Sequence, residues 1–157
     1  MPNAPLRTAA TLAALAAFLP LAALAAPKPF TGLTAGWDHT VGAAPTPQTP
    51  RAQETWKKSD GELVSYLSDA ALSYDDMVAM VKKNMTDNGF KATVDSDRKC
   101  DGRRAHEVEM TFGTTVVHQL IVDDAPGVTR VTYTRPQMTP AGTDVTSAIT
   151  AYCGPAQ

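Results

Sequence analysis

The sequence has few cysteines, few histidines and no excess of charge of either sign. Its 14 basic and 16 acidic residues are interspersed and leave a net charge of −2. A nucleic-acid binder would present a one-sided basic surface, so this class of protein is not expected. The chain also lacks the motifs of zinc proteases, P-loop proteins, dinucleotide-binding proteins and serine hydrolases. No catalytic or cofactor-binding residue is therefore predicted.

The one long apolar run lies at the start of the chain and predicts export. Arg7 precedes an uncharged Ala/Leu run, Ala9–Ala26, that closes on Ala23-Leu24-Ala25, the small-residue pattern of a signal peptidase site. We predict a bacterial signal peptide at 1–25, and hence a secreted or periplasmic protein; a retained anchoring helix is the alternative. No other run is long enough for a membrane span, and no cysteine follows the predicted cleavage site to carry a lipid anchor.

Both cysteines, Cys100 and Cys153, lie in the part predicted to be exported. An even number of cysteines in an oxidising compartment indicates a disulfide bond. A redox-active or metal-binding pair is the alternative, but the chain has no C-x-x-C motif. We predict a structural disulfide.

Composition divides the remainder into a linker and one domain. Residues 26–53 are rich in Pro, Ala and Thr, including Pro45, Pro47 and Pro50, and this density of proline favours extended linker geometry. Trp37 interrupts the linker and is expected to dock on the domain as part of a short strand, or else to anchor a partner. Residues 54–154 are numerous enough for one α+β globular domain.

Hydrophobic periodicity predicts the elements of this domain. Asp60-Gly61 indicates a hairpin, and Ser73 and Asn88-Gly89 mark the two ends of an amphipathic helix. Val145, Ala148, Ile149 and Tyr152 share one side of a second helix. Four strands are predicted between the helices: Phe90–Val94, Arg104–Phe112, Thr115–Asp123 and Val128–Arg135.

The turns between these strands predict their register. A three-residue loop after Met110-Thr111 would pair Met110 with Val116, and a turn at Ala125–Val128 would pair Val122 with Val131. Together they predict one apolar face and one largely wet face. The predicted apolar residues are His106, Val108, Met110, Val116, His118, Leu120, Val122, Val131 and Tyr133. The fold predicted is an antiparallel sheet of about six strands flanked by two helices and held by one disulfide.

This order of elements is similar to that of the PsbP-like fold, which is a small α/β/α sandwich. The fold is found in photosystem extrinsic subunits and in bacterial envelope proteins of the DcrB-like type. The stretch KKNMTDNGFKATVDSDRKCDGRRAHEVEMTF, with the later VTRVTYTRP and Cys153-Gly154, also resembles small exported bacterial proteins of this shape. The resemblance covers roughly residues 54–154 and contains no catalytic motif. It implies a fold and a binding or assembly role.

Histidine and methionine suggest one possible metal site. In the predicted register His106 and His118 are diagonal neighbours on one face, and Met77, Met80 and Met85 lie on one side of the covering helix. This combination of imidazole and thioether groups in an exported protein would suit copper. The alternative is that the methionines fill the core and the histidines are structural.

Two acidic segments suggest other chemistry. Asp95–Gly102 has the spacing of a calcium loop, but Lys99 and Cys100 occupy positions that such a loop needs for a ligand and a glycine. With Arg103 and Arg104 this segment would be a candidate anion-binding site. We predict instead a solvated turn in which the acidic and basic side chains neutralise one another. Glu107 and Glu109 lie on the same face of one predicted strand. They would be the paired carboxylates of a small hydrolase; the alternative is that both are simply exposed to solvent.

These observations predict an exported, non-catalytic envelope protein that binds a partner protein or a small ligand. The alternatives are a periplasmic copper-handling protein that uses the histidines and methionines, and a small hydrolase.

Overall fold

Seven strands and two helices form from the described part of the chain. The computed structural model describes residues 28–154, and the predicted signal peptide lies outside them. The α+β class is confirmed, with seven strands instead of about six. The elements are β1 (Asp38–Val41), β2 (Arg51–Lys57), β3 (Leu63–Asp69), α1 (Tyr74–Asp87), β4 (Ala92–Cys100), β5 (Arg103–Phe112), β6 (Thr115–Asp124), β7 (Gly127–Pro136) and α2 (Thr143–Cys153).

The strands form one antiparallel sheet in the order β1-β2-β3-β7-β6-β5-β4. β1 to β3 follow one another, α1 then carries the chain to the opposite edge, and β4 to β7 return toward β3. The last strand, β7, is consequently the middle strand of the sheet. Within residues 28–154 no helix is long and apolar enough to cross a membrane.

Helix α1 begins and ends where the sequence predicts. The Ser73 hydroxyl accepts a hydrogen bond from the Asp76 backbone N–H at 3.1 Å, which satisfies one of the free donors of the first turn. Asn88 is the C-cap and Gly89 follows with φ 67°, a conformation that glycine adopts without strain. Met77 and Met85 face the sheet, whereas Met80 is 50% exposed.

Helix α2 buries the predicted apolar stripe, Val145, Ala148, Ile149 and Tyr152. The helix ends at Cys153, which is bonded to Cys100 at the end of β4. The predicted disulfide is therefore confirmed, and it fastens α2 to an edge strand of the sheet.

The acidic segment before Gly102 is a strand, so the prediction of a turn over Asp95–Gly102 was wrong. β4 continues to Cys100, and only Asp101 and Gly102 turn the chain into β5. Both turn residues have positive φ, 54° and 75°, as a type I′ hairpin requires. β4 is an edge strand, and charged side chains are common on such strands because they oppose pairing with other chains.

The predicted strand registers were also wrong. The β5–β6 turn contains two residues, Gly113 and Thr114, so Met110 is opposite Val117. The β6–β7 turn is Ala125-Pro126, and Val122 is opposite Thr129. The first error, of one residue, places His106, Val108 and Met110 on the opposite side of the sheet from the other six residues of the predicted apolar face, because side chains alternate along a strand.

Both faces of the sheet are apolar, since each is covered by one helix. On the α1 face, Met77, Val81 and Met85 pack with strand residues that include Val108 and Ile121. On the α2 face, the helix packs with a larger group that includes Leu120, Val131 and Tyr66. The prediction of one apolar face and one largely wet face was therefore wrong.

The segment before β1 contributes to the α2 side of the core. Phe30, Leu33 and Trp37 are buried there, although they lie within the stretch predicted as linker. The Phe30 ring lies 5.6 Å from that of Trp56. Trp37 docks as expected, and its indole N–H donates to Asp144 at 2.8 Å.

Candidate functional site

A cleft of about 1040 Å³ opens beside the start of β2, the end of β3 and the β6–β7 turn. Its walls are formed mainly by small and cyclic apolar residues from four separate parts of the chain. These residues are Pro45, Pro47, Pro50, Ala52, Ala70, Ala71, Ala125, Pro126 and Gly127.

The proline-rich loop on one side of the cleft is held in place by its threonines. The Thr46 and Thr49 backbones exchange hydrogen bonds at 3.0 and 3.1 Å, and their hydroxyls lie 2.8 Å apart. The Pro50 carbonyl accepts a bond from the Ala70 N–H at 3.0 Å. This bond ties the loop to the end of β3, so the loop forms a fixed wall of the cleft.

Glycine is required at position 127 on the opposite wall. A Cβ atom there would lie 2.3 Å from the Asp69 carbonyl oxygen and 2.6 Å from the Ala70 Cα. Both are backbone atoms, so a side chain would force β3 and β7 apart. Close approach of these strands sets the shape of the cleft floor.

The charged groups that line the cleft are paired with other protein groups. Arg103 donates to Asp124, and Lys28 donates to the Tyr152 carbonyl at 2.7 Å. Asp69 binds Arg51 at 2.9 Å and also accepts from the Ala71 N–H. The surface left for a ligand is therefore apolar, with its charges already neutralised.

The structure does not bring His106 and His118 together. His106 lies on the α1 face and His118 on the α2 face, because the true register pairs His118 with Glu109. Of the predicted thioether ligands, Met77 and Met85 pack in the α1 core and Met80 is half exposed. Within residues 28–154, no three His, Cys, Asp or Glu side chains are placed to hold a metal ion.

His106 is buried between two aspartates of the edge strand. Its Nδ1 lies 2.8 Å from Asp97, and its Nε2 lies 3.0 Å from Asp95 without the geometry of a hydrogen bond. The hydrogen bond with His106 lowers the pKa of Asp97. We interpret this arrangement as structural, since it fastens the edge strand β4 to β5.

His118 belongs to a second cluster on the α2 face. It contacts Glu107 at 2.7 Å, and Arg98 donates to the same carboxylate at 3.0 Å. The hydrogen bond with His118, together with Arg98, lowers the pKa of Glu107 to about 2. Glu109 lies farther from its own partner, 3.9 Å from Arg135. A carboxylate held ionised in this way is a poor general acid, because it carries no proton at neutral pH.

Replacing Glu107 with glutamine should reduce the dependence of stability on acid pH. The folded-state pKa lies below that of the unfolded chain, so the carboxylate stabilises the protein above about pH 4.3. This contribution is lost as pH falls toward 2. We expect the melting temperature of Glu107→Gln to fall less than that of the wild type between pH 5 and 2.5, in thermal melts followed by circular dichroism.

Glu109→Gln is the matched control, since it removes a neighbouring carboxylate on the same face. Its melting temperature should follow the wild-type pH profile more closely than that of Glu107→Gln. Identical pH profiles for wild type and Glu107→Gln would contradict the ion-pair cluster.

Comparisons of this chain with protein-family models, curated proteins and solved structures find no match. The resemblance to the PsbP-like family therefore stays a prediction.

The cleft was not predicted from the sequence. The run Pro45–Pro50 is the part of the cleft most visible in the sequence, but prolines at this density are also typical of linkers. The run lies beside Ala70 and Pro126 only because β2, which follows it, pairs with β3 in the sheet.

Proposed function

We propose that this chain is an exported, non-catalytic binding protein of the cell envelope, and that its cleft holds an apolar, uncharged small molecule. The cleft carries this proposal, since it is large enough for a drug-sized ligand. Its walls are mainly proline, alanine and glycine, and its charges are paired within the protein.

The absence of histidine, glutamate and cysteine from the described lining of the cleft favours binding over hydrolysis. The carboxylates Asp69 and Asp124 are engaged by Arg51 and Arg103, so neither is free to act as a base. The leader-like run at the start of the sequence supports export. The Cys100–Cys153 disulfide supports an oxidising compartment.

Titration with N-phenyl-1-naphthylamine, whose fluorescence rises in apolar surroundings, tests the proposal. We expect saturable binding at one site per chain. Ala71→Trp should weaken this binding at least tenfold, because Ala71 lines the cleft and is exposed enough to accept a larger side chain.

Ala79→Trp is the control, since Ala79 is exposed on α1 away from the cleft. It should bind the dye as the wild type does. Absence of saturable binding, or equal binding by both tryptophan variants, would show that the cleft does not hold apolar ligands.

A further inference from the structure

The Asn88-Gly89 pair that ends α1 is a chemically labile sequence. An asparagine loses its side-chain amide when the backbone nitrogen of the next residue attacks its Cγ, and a glycine in that position has no side chain to hinder the attack. A Cβ atom built on Gly89 would meet no other atom within 4 Å, and Asn88 is itself exposed. Both residues that would react are therefore open to solvent.

The folded end of the helix uses both reacting nitrogens as hydrogen-bond donors. The side-chain Nδ2 of Asn88 donates to the Asn84 carbonyl oxygen at 2.7 Å and to the Asn84 Oδ1 at 2.6 Å. The Gly89 N–H donates to the Thr86 carbonyl at 3.2 Å, which is one of the two bonds of a Schellman motif. The leaving amide and the attacking nitrogen are thus each held by the preceding turn of α1.

The backbone of Asn88 also keeps the attacking nitrogen away from its target. Its ψ is 1°, so the Gly89 nitrogen is eclipsed with the Asn88 backbone nitrogen and not with Cβ. Closing a five-membered ring through Cβ and Cγ requires rotation about the Cα–C bond, and this rotation breaks the bond from Gly89 to Thr86. Helix ends fray at little cost in free energy. The reactive conformation is therefore reached by opening the last turn, without global unfolding.

We propose that Asn88 is a site of covalent modification, converted to aspartate and isoaspartate at a rate controlled by opening of the α1 C-cap. The Gly89 nitrogen bonds to the Asn88 Cγ, the Cγ–Nδ2 bond breaks, and the amide leaves as ammonia with the proton that Gly89 loses. Water then opens the resulting succinimide ring. Attack at Cγ gives aspartate, whereas attack at the backbone carbonyl carbon gives isoaspartate, in which the main chain runs through the side chain.

Either product weakens the end of the helix. The new carboxylate lies where the helix carbonyls already carry partial negative charge, and it replaces the donor that was bonded to Asn84. Isoaspartate also lengthens the main chain immediately before Phe90, whose ring centroid lies 4.9 Å from that of Phe112 on β5. The modification thus loosens the contact between the end of α1 and the sheet. The site is independent of the apolar cleft.

Incubation of the oxidised protein at pH 8 and 37 °C, followed by tryptic digestion and tandem mass spectrometry, tests the proposal. Asn84 and Asn88 lie in the same tryptic peptide, residues 84–91, so Asn84 is an internal control. Asn88 should acquire the mass of the acid, in separable aspartate and isoaspartate forms, while Asn84 stays unmodified. The chain unfolded in guanidinium chloride should react at Asn88 at least tenfold faster, because chemistry confined to an opened state follows the population of that state.

Asn84→Ala should raise the rate in the folded protein at least threefold, since it frees the Asn88 side chain. Asn84 is exposed, and alanine is favoured in a helix, so this variant should fold. Thr86→Ala is the matched control in the same turn, because the Thr86 hydroxyl bonds to the Lys82 carbonyl. Its rate should stay within twofold of the wild type.

Three results would overturn the proposal. The first is a reaction at Asn88 no faster than that at Asn84. The second is the same rate in the folded and the unfolded chain. The third is an equal change of rate in Asn84→Ala and Thr86→Ala, which would show that the side-chain contact does not control the reaction.

Discussion

Removing the Cys100–Cys153 disulfide should lower the melting temperature of the protein by more than about 10 °C. The two cysteines are separated by 53 positions in the sequence. Closing a loop of this size in the unfolded chain is worth about 4 kcal/mol in the chain-entropy model. For a domain of this size, each kcal/mol corresponds to roughly 3–5 °C.

Noncovalent contacts beside the disulfide join the same two parts of the fold. The Asp101 N–H donates to the Cys153 carbonyl at 2.6 Å, and Lys28 joins the Tyr152 carbonyl to the Asp101 carboxylate. These contacts hold the end of α2 against the β4–β5 turn. Without the covalent bond they have to hold the helix alone, so α2 should be the first element to separate from the sheet.

Thermal melts of the wild type and the double variant Cys100→Ala/Cys153→Ala, followed by circular dichroism, measure this effect. A reductant should lower the melting temperature of the wild type and leave that of the double variant unchanged. The double variant therefore controls for effects of the reductant other than reduction of the disulfide. Overlapping melting curves for wild type and variant would contradict the prediction.

Val131→Asp should prevent folding at room temperature. Val131 is 1% exposed and lies in the middle strand, opposite Leu120 on one side and Tyr66 on the other. An aspartate there would lie in the apolar cluster beneath α2. Its carboxyl group would find no hydrogen-bond or ion-pair partner, whether ionised or neutral. We expect a loss of more than about 4 kcal/mol, a large part of the stability of an ordinary domain.

Val41→Asp makes the same substitution on β1, where the valine is 66% exposed, and should leave stability within about 0.5 kcal/mol of the wild type. Far-ultraviolet circular dichroism and size-exclusion chromatography distinguish the two results. A cooperative melt of Val131→Asp near the wild-type temperature would mean that this position is not in the core.

The helices could be predicted because their signals are local. Ser73 and Asn88-Gly89 form caps from their own side chains and backbone, so α1 has the ends that the sequence indicates. The stripe of Val145, Ala148, Ile149 and Tyr152 fits one helix face whatever it packs against. The disulfide was predicted from the expected export and the even number of cysteines, without any knowledge of the sheet.

The sheet was harder to predict, because the register of β4 to β7 depends on turns of two residues. The β5–β6 turn is one residue shorter than predicted, and this difference moves His106 and His118 to opposite faces. The predicted metal site depended entirely on that register. The charged sequence of β4 also resembles a loop, and only its position at an edge makes a strand of this composition favourable.

The cleft depends on contacts between distant parts of the chain. Pro47 and Pro126 share a cleft only because β2 and β7 both flank β3.

The position of β7 has a consequence for the timing of folding. The N-terminal hairpins join the rest of the sheet through this strand, which is followed only by α2. Contacts between residues so far apart in sequence form slowly. If the chain is exported unfolded, as proposed, its sheet would remain incomplete until Gly127–Pro136 had left the secretion channel.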